Sequence, residues 1–438
     1  MTHLMARKGF YQSIARELST VARYMDRVCH WNSGERDESG RPESVFGLIE
    51  APAKEVTAGL RDFAATDDRV LVLLNGTLNH SLDVTGLLTE VHQKLNRFSR
   101  VGLVLYSPYW KWFFPQNNRL TFFTEASLRS IAKLNGFEVV RTRNVFAFPF
   151  VSGFAALLLN RLVRLVPLLN RLAPAQVVFL RPIKNLAHQP SLSIVIPARN
   201  ESGNIAACLQ RLSKLRDRFA VASLEIIFIE GHSADDTWEV IQVEAARFRS
   251  SPEGDRTRIT TLQQTGKGKG NAVREAFAVA SGDALTIFDA DLSTPAEALP
   301  EFLDAYVRGV GDFINGNRLV YPMQGKAMRF LNWVGNMFFA KLLSLVLETG
   351  LGDTLCGTKL FARRDYQRFT KWREDFGDFD PFGDFEILFP AAVLGLGIVD
   401  LPVVYHERVY GVTNIQRFRH GAMLLKMSVV GLFRVRWA

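Results

Sequence analysis

Asp289-Ala290-Asp291 closes the apolar run Leu285-Thr286-Ile287-Phe288. A carboxylate that ends a buried strand is costly unless something positive satisfies it. Two carboxylates flanking one turn residue can converge on a hard divalent cation, directly or through water. Mg2+ and Mn2+ prefer such oxygen ligands and share them with substrate phosphates. Taken alone, the pattern also serves as a solvent-exposed turn or a helix cap. Two other apolar runs end in comparable polar loops. Leu192-Ser193-Ile194-Val195-Ile196 leads into Pro197-Ala198-Arg199-Asn200-Glu201, and Leu224-Glu225-Ile226-Ile227-Phe228-Ile229 leads into Glu230-Gly231-His232-Ser233. Glu201 and Glu230 can accept hydrogen bonds from a nucleobase or ribose; equally, they can cap the helices that follow. Gly266-Lys267-Gly268-Lys269-Gly270-Asn271 precedes a helical pattern through Val273, Ala276, Phe277 and Ala280. Glycines and lysines ahead of a helix N-terminus suit a phosphate or a nucleotide edge. The spacing is not that of a P-loop, and a flexible solvated turn reads the same way.

These loops need strand ends to carry them. Apolar strands alternating with helical patterns, Ile205 to Leu215 and Asp236 to Phe248 among them, imply a mostly parallel sheet with helices on both faces. Pro197 is expected to stop the first strand of this region. Ligands in such sheets lie at the carboxyl ends of the strands. The proline-bracketed run 181–190 reads as a linker. Ahead of it, Arg69 to Leu74, Val101 to Tyr106 and Phe137 to Val140 read as strands. Helices begin at the N-caps Asp83 and Thr124. They form a smaller α/β layer over 66–180. Residues 1–65 read as helical or irregular, with one amphipathic helix over Tyr11 to Val28 and a surface loop over 31–43. The larger α/β domain spans 191–420, and an amphipathic segment follows over 421–438.

Composition sets the wider limits. The chain has 438 residues, 47% hydrophobic and 22% charged, which excludes a fibrous or wholly disordered protein. Three distant cysteines, Cys29, Cys208 and Cys356, give no disulfide framework and suit a reducing, cytoplasmic compartment. The net charge of +9 favours anionic partners. No nucleic-acid motif accompanies it, whereas basic residues recur beside apolar ones, as in Phe433-Arg434-Val435-Arg436-Trp437. No N-terminal signal peptide is expected. The apolar stretch Val145 to Leu159 is shorter than the roughly 20 residues a crossing helix needs.

From Pro190 onward the chain resembles the family 2 glycosyltransferases of GT-A fold. Within them it is most similar to the polyprenyl-phosphate (dolichol-phosphate) sugar transferases. The resemblance rests on an ordered set over about 230 residues. It begins with Ser193 to Glu201, Glu225 to Glu230 and Gly268 to Arg274. It continues through Gly282-Asp283, Asp289 to Leu292, Gly316-Asn317-Arg318, Asp353 to Phe361 and Asp384 to Leu388. It ends with Leu401-Pro402-Val403 and Arg408 to Gly411. It implies that Pro197, Glu201 and Glu230 line the nucleotide pocket, with Lys269 beside the donor. Asp289 and Asp291 would hold Mg2+ or Mn2+ and the diphosphate of a UDP- or GDP-linked sugar. Arg318 would meet the donor, Arg408 and Lys359 phosphate on the acceptor, and Asp384 and Glu386 would sit near the acceptor. The chain departs from the family where Gly231-His232-Ser233 replaces the usual Asp-Gly-Ser, and where Thr413-Asn414 replaces Ser-Lys.

The smaller layer resembles the C-terminal half of class I S-adenosylmethionine-dependent methyltransferases, on Asp83-Val84, Phe122 to Leu128 and Asn135 to Val140. The family's glycine-rich cofactor loop is missing, so a truncated, inactive relic is expected and S-adenosylmethionine is not.

The expected activity is therefore inverting, metal-dependent transfer of a sugar from a nucleotide donor to a lipid-linked or polyprenyl-phosphate acceptor. Charge growing on the leaving diphosphate would be met by the cation and by Arg318 or Lys269. A hydroxyl acceptor would need a general base, Asp384 first and Glu386 second; a phosphate acceptor is already ionised. The stretches Phe330 to Leu343 and Met423 to Trp437, with Lys326, Arg329 and Lys341, suit a bilayer interface at the cytoplasmic face; a buried core helix explains the first stretch equally well. The competing readings are a glycan or other hydroxyl acceptor, a non-catalytic scaffold, and a bifunctional methyltransferase–glycosyltransferase.

Overall fold

The computed structural model describes the chain except residues 1, 32–43, 58, 114–119, 147–162, 164–172, 253, 323–329, 377–382, 409, 411–416 and 437–438. The apolar stretch after Phe146, Lys326, Arg329 and Thr413-Asn414 therefore lie outside the described residues. The chain divides into two compact units, 1–184 with 393–395, and 185–392 with 396–438.

The first unit is built on a six-stranded sheet. Its strands are β1 (Arg27–Trp31), β2 (Lys54–Thr57), β3 (Val70–Asn75), β4 (Arg100–Tyr106), β5 (Phe137–Val145) and β6 (Ala175–Pro182). They lie in the order β2-β1-β3-β4-β6-β5, with β1 to β4 parallel and β6 antiparallel to both neighbours. Alternation along β3 sends Val72 and Leu74 to one apolar cluster and Leu71 and Leu73 to the other, so both faces are covered. Asp83 and Thr124 cap their helices as expected, accepting from the backbone N–H of Gly86 and Ser127. The sheet starts earlier than the sequence suggests. Val28, expected in a helix, lies in β1, and the helix ends at Ala22. The strand Arg27-Val28-Cys29-His30-Trp31 has no apolar run to announce it. The expected linker also starts late, because Arg181 and Pro182 are the last residues of β6.

The second unit holds a seven-stranded sheet. It comprises β7 (Leu192–Ala198), β8 (Leu224–Glu230), β9 (Thr257–Gln263), β10 (Ala284–Ile287), β11 (Phe313–Asn317), β12 (Lys359–Ala362) and β13 (Ile398–Pro402). Their order is β13-β11-β12-β10-β7-β8-β9. Strands β7 to β10 run parallel, and β12 runs antiparallel between β10 and β11. Pro197 does not stop β7: it pairs with Ile229 and lies inside the strand. The helices Ser202–Lys214, Thr237–Arg249 and Lys269–Val279 each bury one apolar stripe, such as Ala272, Val273, Ala276 and Phe277 in the last. A fully buried Phe or Ile here contributes about 1.5–3 kcal/mol. The fold is the mixed, mostly parallel α/β architecture of the GT-A type, flanked by helices.

Candidate active site

One edge of the second sheet collects the polar residues. The carboxyl ends of β7, β8 and β10 lie there because the three strands are parallel. The reversed strand β12 brings its first residue to the same edge, with Lys359 opposite Ile287. These three strands each leave the sheet through a residue in the left-handed region: Asn200 after β7, His232 after β8 and Leu292 after β10, with φ of 56°, 56° and 54°. Such backbones cost about 1–2 kcal/mol in a non-glycine residue and persist where the surroundings enforce them.

The loops are cross-laced. Asn200 N–H donates to Ser233 Oγ at 2.9 Å, and Asn200 Oδ1 accepts from Ala234 N–H at 2.8 Å. Glu230 is buried; its Oε1 accepts from Ser233 N–H at 2.5 Å. His232 Nε2 lies 3.0 Å from the carbonyl oxygen of Gly266. Glu230 therefore organises the turn beyond its own strand, where it lies opposite Ala198 in register.

Two ion pairs define the acidic centre. Lys269 Nζ donates to Asp289 Oδ1 at 2.5 Å. Arg408 pairs with Asp291 Oδ2 at 2.8 Å, while Asp291 Oδ1 accepts from Ser293 N–H at 2.9 Å. Burial pushes the Asp289 carboxyl up, but the Lys269 ammonium outweighs it and holds the pKa below the usual carboxylate range. Burial likewise opposes the Lys269 ammonium, yet the carboxylates of Asp289, Asp384 and Asp291 raise its pKa. Glu201 shares this field. Burial raises its pKa to about 7, against a 2.6 Å hydrogen bond from Asn204, and the charges of Asp291 and Asp289 add to the rise. The carboxylate oxygens of Asp289 and Asp291 are the hard donors that Mg2+ and Mn2+ take. Among the described residues no three acidic, histidine or cysteine groups converge as a metal cage.

Neighbouring contacts fix these groups. Tyr410 seats its ring over Gly203, where a Cβ would lie 2.6 Å from the ring, and its hydroxyl is 3.2 Å from Ser202 Oγ. His406 N–H donates to Ser293 O at 2.8 Å. Arg408 is therefore held from both sides. Gly357 meets the other pair: a Cβ there would overlap Asp289 Oδ2 and sit 2.7 Å from Lys269 Nζ. Gly383, with φ of 79°, packs against Gly270.

Four anticipated residues, Arg318, Glu386, Lys359 and Asp384, are engaged in internal ion pairs. Arg318 commits its fork to buried Asp353, with Nε and Nη2 at 2.7 and 2.9 Å from the two carboxylate oxygens, and stacks over Tyr405. It braces the loop that carries Gly357. Glu386 receives Arg274 at 2.8 Å on both oxygens and Arg373 at 3.5 Å. It ties the helix Lys269–Val279 to the helices Arg363–Phe376 and Phe385–Val393. Lys359 is fully buried and pairs with Asp384 Oδ1 at 2.7 Å, besides donating to Cys356 O. Arg274 and Asp353 had no local signal as braces, because their partners lie 112 and 35 residues away in the chain.

Residues 193–369 match the family model described as Glycosyl transferase family 2. This stretch is a family 2-like glycosyltransferase domain. The chain is 28% identical over 244 residues to the low-salt glycan biosynthesis hexosyltransferase Agl6 of Haloferax volcanii, covering 55% of this chain and 54% of that one. It is 29% identical over 238 residues to the dolichyl-phosphate hexose transferase of the same organism, covering 54% of this chain and 92% of that one. The chain thus spans about half the length of the first relative and most of the second. Glucosyl-3-phosphoglycerate synthase from M. tuberculosis, a solved structure, is 22% identical with a TM-score of 0.38, over 56% of this chain and 80% of that one. None of these comparisons supports the methyltransferase resemblance of the first unit.

Proposed function

We propose that the second unit transfers a sugar, with inversion, from a UDP- or GDP-linked donor to the phosphate of a polyprenyl lipid. The observation that carries this reading is the alternating array Lys269–Asp289 and Asp291–Arg408 at the sheet edge. Asp289 and Asp291 would hold a divalent cation, which supplies positive charge to the leaving diphosphate. Lys269 and Arg408, released from the carboxylates, then meet phosphate oxygens at the same edge. Glu230 and Pro197 face the base side, and Glu201 lies between base and diphosphate. Fixed cations at the position where charge develops favour the transition state over the ground state. Attack on the face opposite the diphosphate inverts the anomeric carbon.

The acceptor class follows from Asp384 and from the surface. Asp384 is occupied by buried Lys359. An acceptor that arrives ionised needs no general base, and a phosphate meets that condition. The helices Phe330–Leu347 and Arg417–Gly431 pack against each other. They leave Leu331, Val334, Phe338 and Leu345 exposed on one, and Leu425 and Val429 on the other, with Phe433 just beyond. The spacings place each set on a single helical face. Lys341 and Lys426 are exposed on the same helices. Among the described residues no helix is long and apolar enough to cross a membrane. An apolar face fringed by lysines suits the interfacial layer in which a polyprenyl phosphate resides. The second relative, a dolichyl-phosphate hexose transferase, accords with that acceptor.

The test is a panel of UDP- and GDP-sugars with Mg2+ or Mn2+, offered with polyprenyl phosphate in vesicles or with free glycans. Transfer to the lipid phosphate with inverted configuration is expected. It should vanish with chelator and fall at least about 100-fold in Asp291→Ala. Transfer to glycan hydroxyls alone would replace the acceptor assignment, and a fully active Asp291→Ala would overturn the metal assignment.

A further inference from the structure

His232 stands where the chain departs from the family resemblance, in the second of three loops that leave the sheet edge. Its backbone lies in the left-handed region, φ 56°, a conformation glycine adopts freely and histidine does not. Its ring nitrogen Nε2 is 3.0 Å from Gly266 O. That carbonyl begins the segment Gly266-Lys267-Gly268-Lys269, whose last residue carries the ammonium on Asp289.

The stem of this segment is otherwise tied to its own helix and to β9. Glu275 accepts from Thr265 N–H at 2.9 Å, Thr265 Oγ1 at 2.6 Å and Gly266 N–H at 3.2 Å. Gln264, the residue after β9, donates through Nε2 to Gly268 O at 2.8 Å and Asn271 Oδ1 at 2.7 Å. Its backbone N–H donates to Glu230 O at 2.9 Å. Glu275 and Gln264 thus fix the stem and the far end of the loop. The imidazole reaches Gly266 from the loop after β8, the same loop that Glu230 organises through Ser233. The Gly231 position admits this approach: a Cβ there would lie 3.3 Å from Gln264 Oε1.

We propose that His232 is a positioning residue for the nucleoside diphosphate: it latches the Gly266–Lys269 segment to the end of β8 and so sets the width of the pocket between Glu230 and Lys269. The inference rests on the nucleotide-sugar reading above. The latch replaces backbone freedom with a side-chain contact. His232 keeps a strained backbone, and in return the lysine-bearing loop is held in place before the donor arrives. Preformed loops bind with less ordering cost, so the effect belongs to donor affinity and not to the chemical step.

Two variants and two readouts decide it. His232→Gly relieves the backbone and removes the ring. His232→Asn tolerates the left-handed backbone but is too short to reach Gly266 as the ring does. Both should raise the donor KM about five- to tenfold, the loss of one hydrogen bond, with kcat within about twofold of the parent. Melting temperature should hold or rise in His232→Gly. In the free protein, amide exchange across Gly266–Lys269 should quicken about tenfold in both variants. Unchanged exchange would overturn the latch. Faster exchange with unchanged donor KM would overturn its positioning role. Should the parent protein bind neither UDP nor GDP with Mg2+, the function proposed above fails, while the exchange comparison still decides the latch.

Discussion

Lys359 Nζ lies 2.7 Å from Asp384 Oδ1, and the lysine side chain has no exposure to solvent. The pair joins the start of β12 to the residue ahead of the helix Phe385–Val393. Removing one partner of a buried pair leaves an uncompensated charge, at a cost of about 3–5 kcal/mol, whereas replacing both by apolar groups is often neutral. Lys359→Met and Asp384→Leu should each lower stability by roughly that amount in urea unfolding. The double variant Lys359→Met with Asp384→Leu should recover most of it, a coupling that a double-mutant cycle measures. An Asp384→Asn protein of parental stability that had lost transfer to a hydroxyl acceptor would instead make Asp384 the general base.

The parts of the site legible in the sequence are those whose meaning is local. Asp289 and Asp291 follow an apolar strand directly, and Glu201 after β7, Glu230 at the end of β8 and Lys269 at the start of its helix stand where strand–helix alternation already places one edge. Arg318, Glu386 and Lys359 are different. Their spacing says that a charge is present, not which charge answers it. Asp353, Arg274 and Asp384 answer across the fold. Reversal of β12 is what carries Lys359 to the edge, and no periodicity encodes strand direction. In the first unit, β1 stayed hidden because a strand between two others can be buried while reading Arg-Val-Cys-His-Trp.

Gly357 packs directly against the acidic centre. A methyl group there would overlap Asp289 Oδ2 and crowd Lys269 Nζ. Gly357→Ala should push the two apart, costing about 1–3 kcal/mol of stability. The larger effect falls on turnover, because a displacement near 1 Å at positioning groups costs about 100-fold. Steady-state kinetics beside a thermal melt separates the two: kcat/KM should fall far more than the melt accounts for. An alanine variant with parental kinetics would show that the Lys269–Asp289 pair tolerates displacement.

Glu201 gives the site a pH signature. Burial, with the charges of Asp291 and Asp289, raises its pKa to about 7. A carboxyl raised in the folded state favours folding while it is protonated. Its contribution is complete below the unfolded value near 4.3 and is lost as pH rises to about 7. Glu201→Gln keeps an oxygen for Asn204 and cannot ionise. Relative to the parent it should gain on the order of 1 kcal/mol between pH 5 and pH 8, a figure already reduced for the partial exposure of this side chain. Urea midpoints at the two pH values check this. An equal difference at both would mean that the carboxyl does not titrate in that window. Saturating Mg2+ with a nucleoside diphosphate should shrink the gain, because a cation beside Asp289 and Asp291 cancels part of the field that raises Glu201.

The apolar face of the paired helices predicts where the enzyme works. Leu331, Phe338 and Leu345 are 67%, 56% and 61% exposed. Burying one such side chain in an interfacial layer contributes about 1.5–3 kcal/mol, and each lysine near an anionic surface about 1 kcal/mol. Leu331→Glu with Phe338→Glu removes two apolar anchors and adds two negative charges without touching the sheet edge. Co-sedimentation with vesicles containing anionic lipid should fall at least tenfold. Transfer to a short-chain polyprenyl phosphate dispersed in detergent should stay within about twofold of the parent, because the Lys269–Asp289 and Asp291–Arg408 array is intact. Raising salt should weaken binding of the parent through its lysines and leave the apolar share in place. Undiminished sedimentation of the double variant would show that this face does not meet the membrane, and the polyprenyl-phosphate assignment would lose its surface argument.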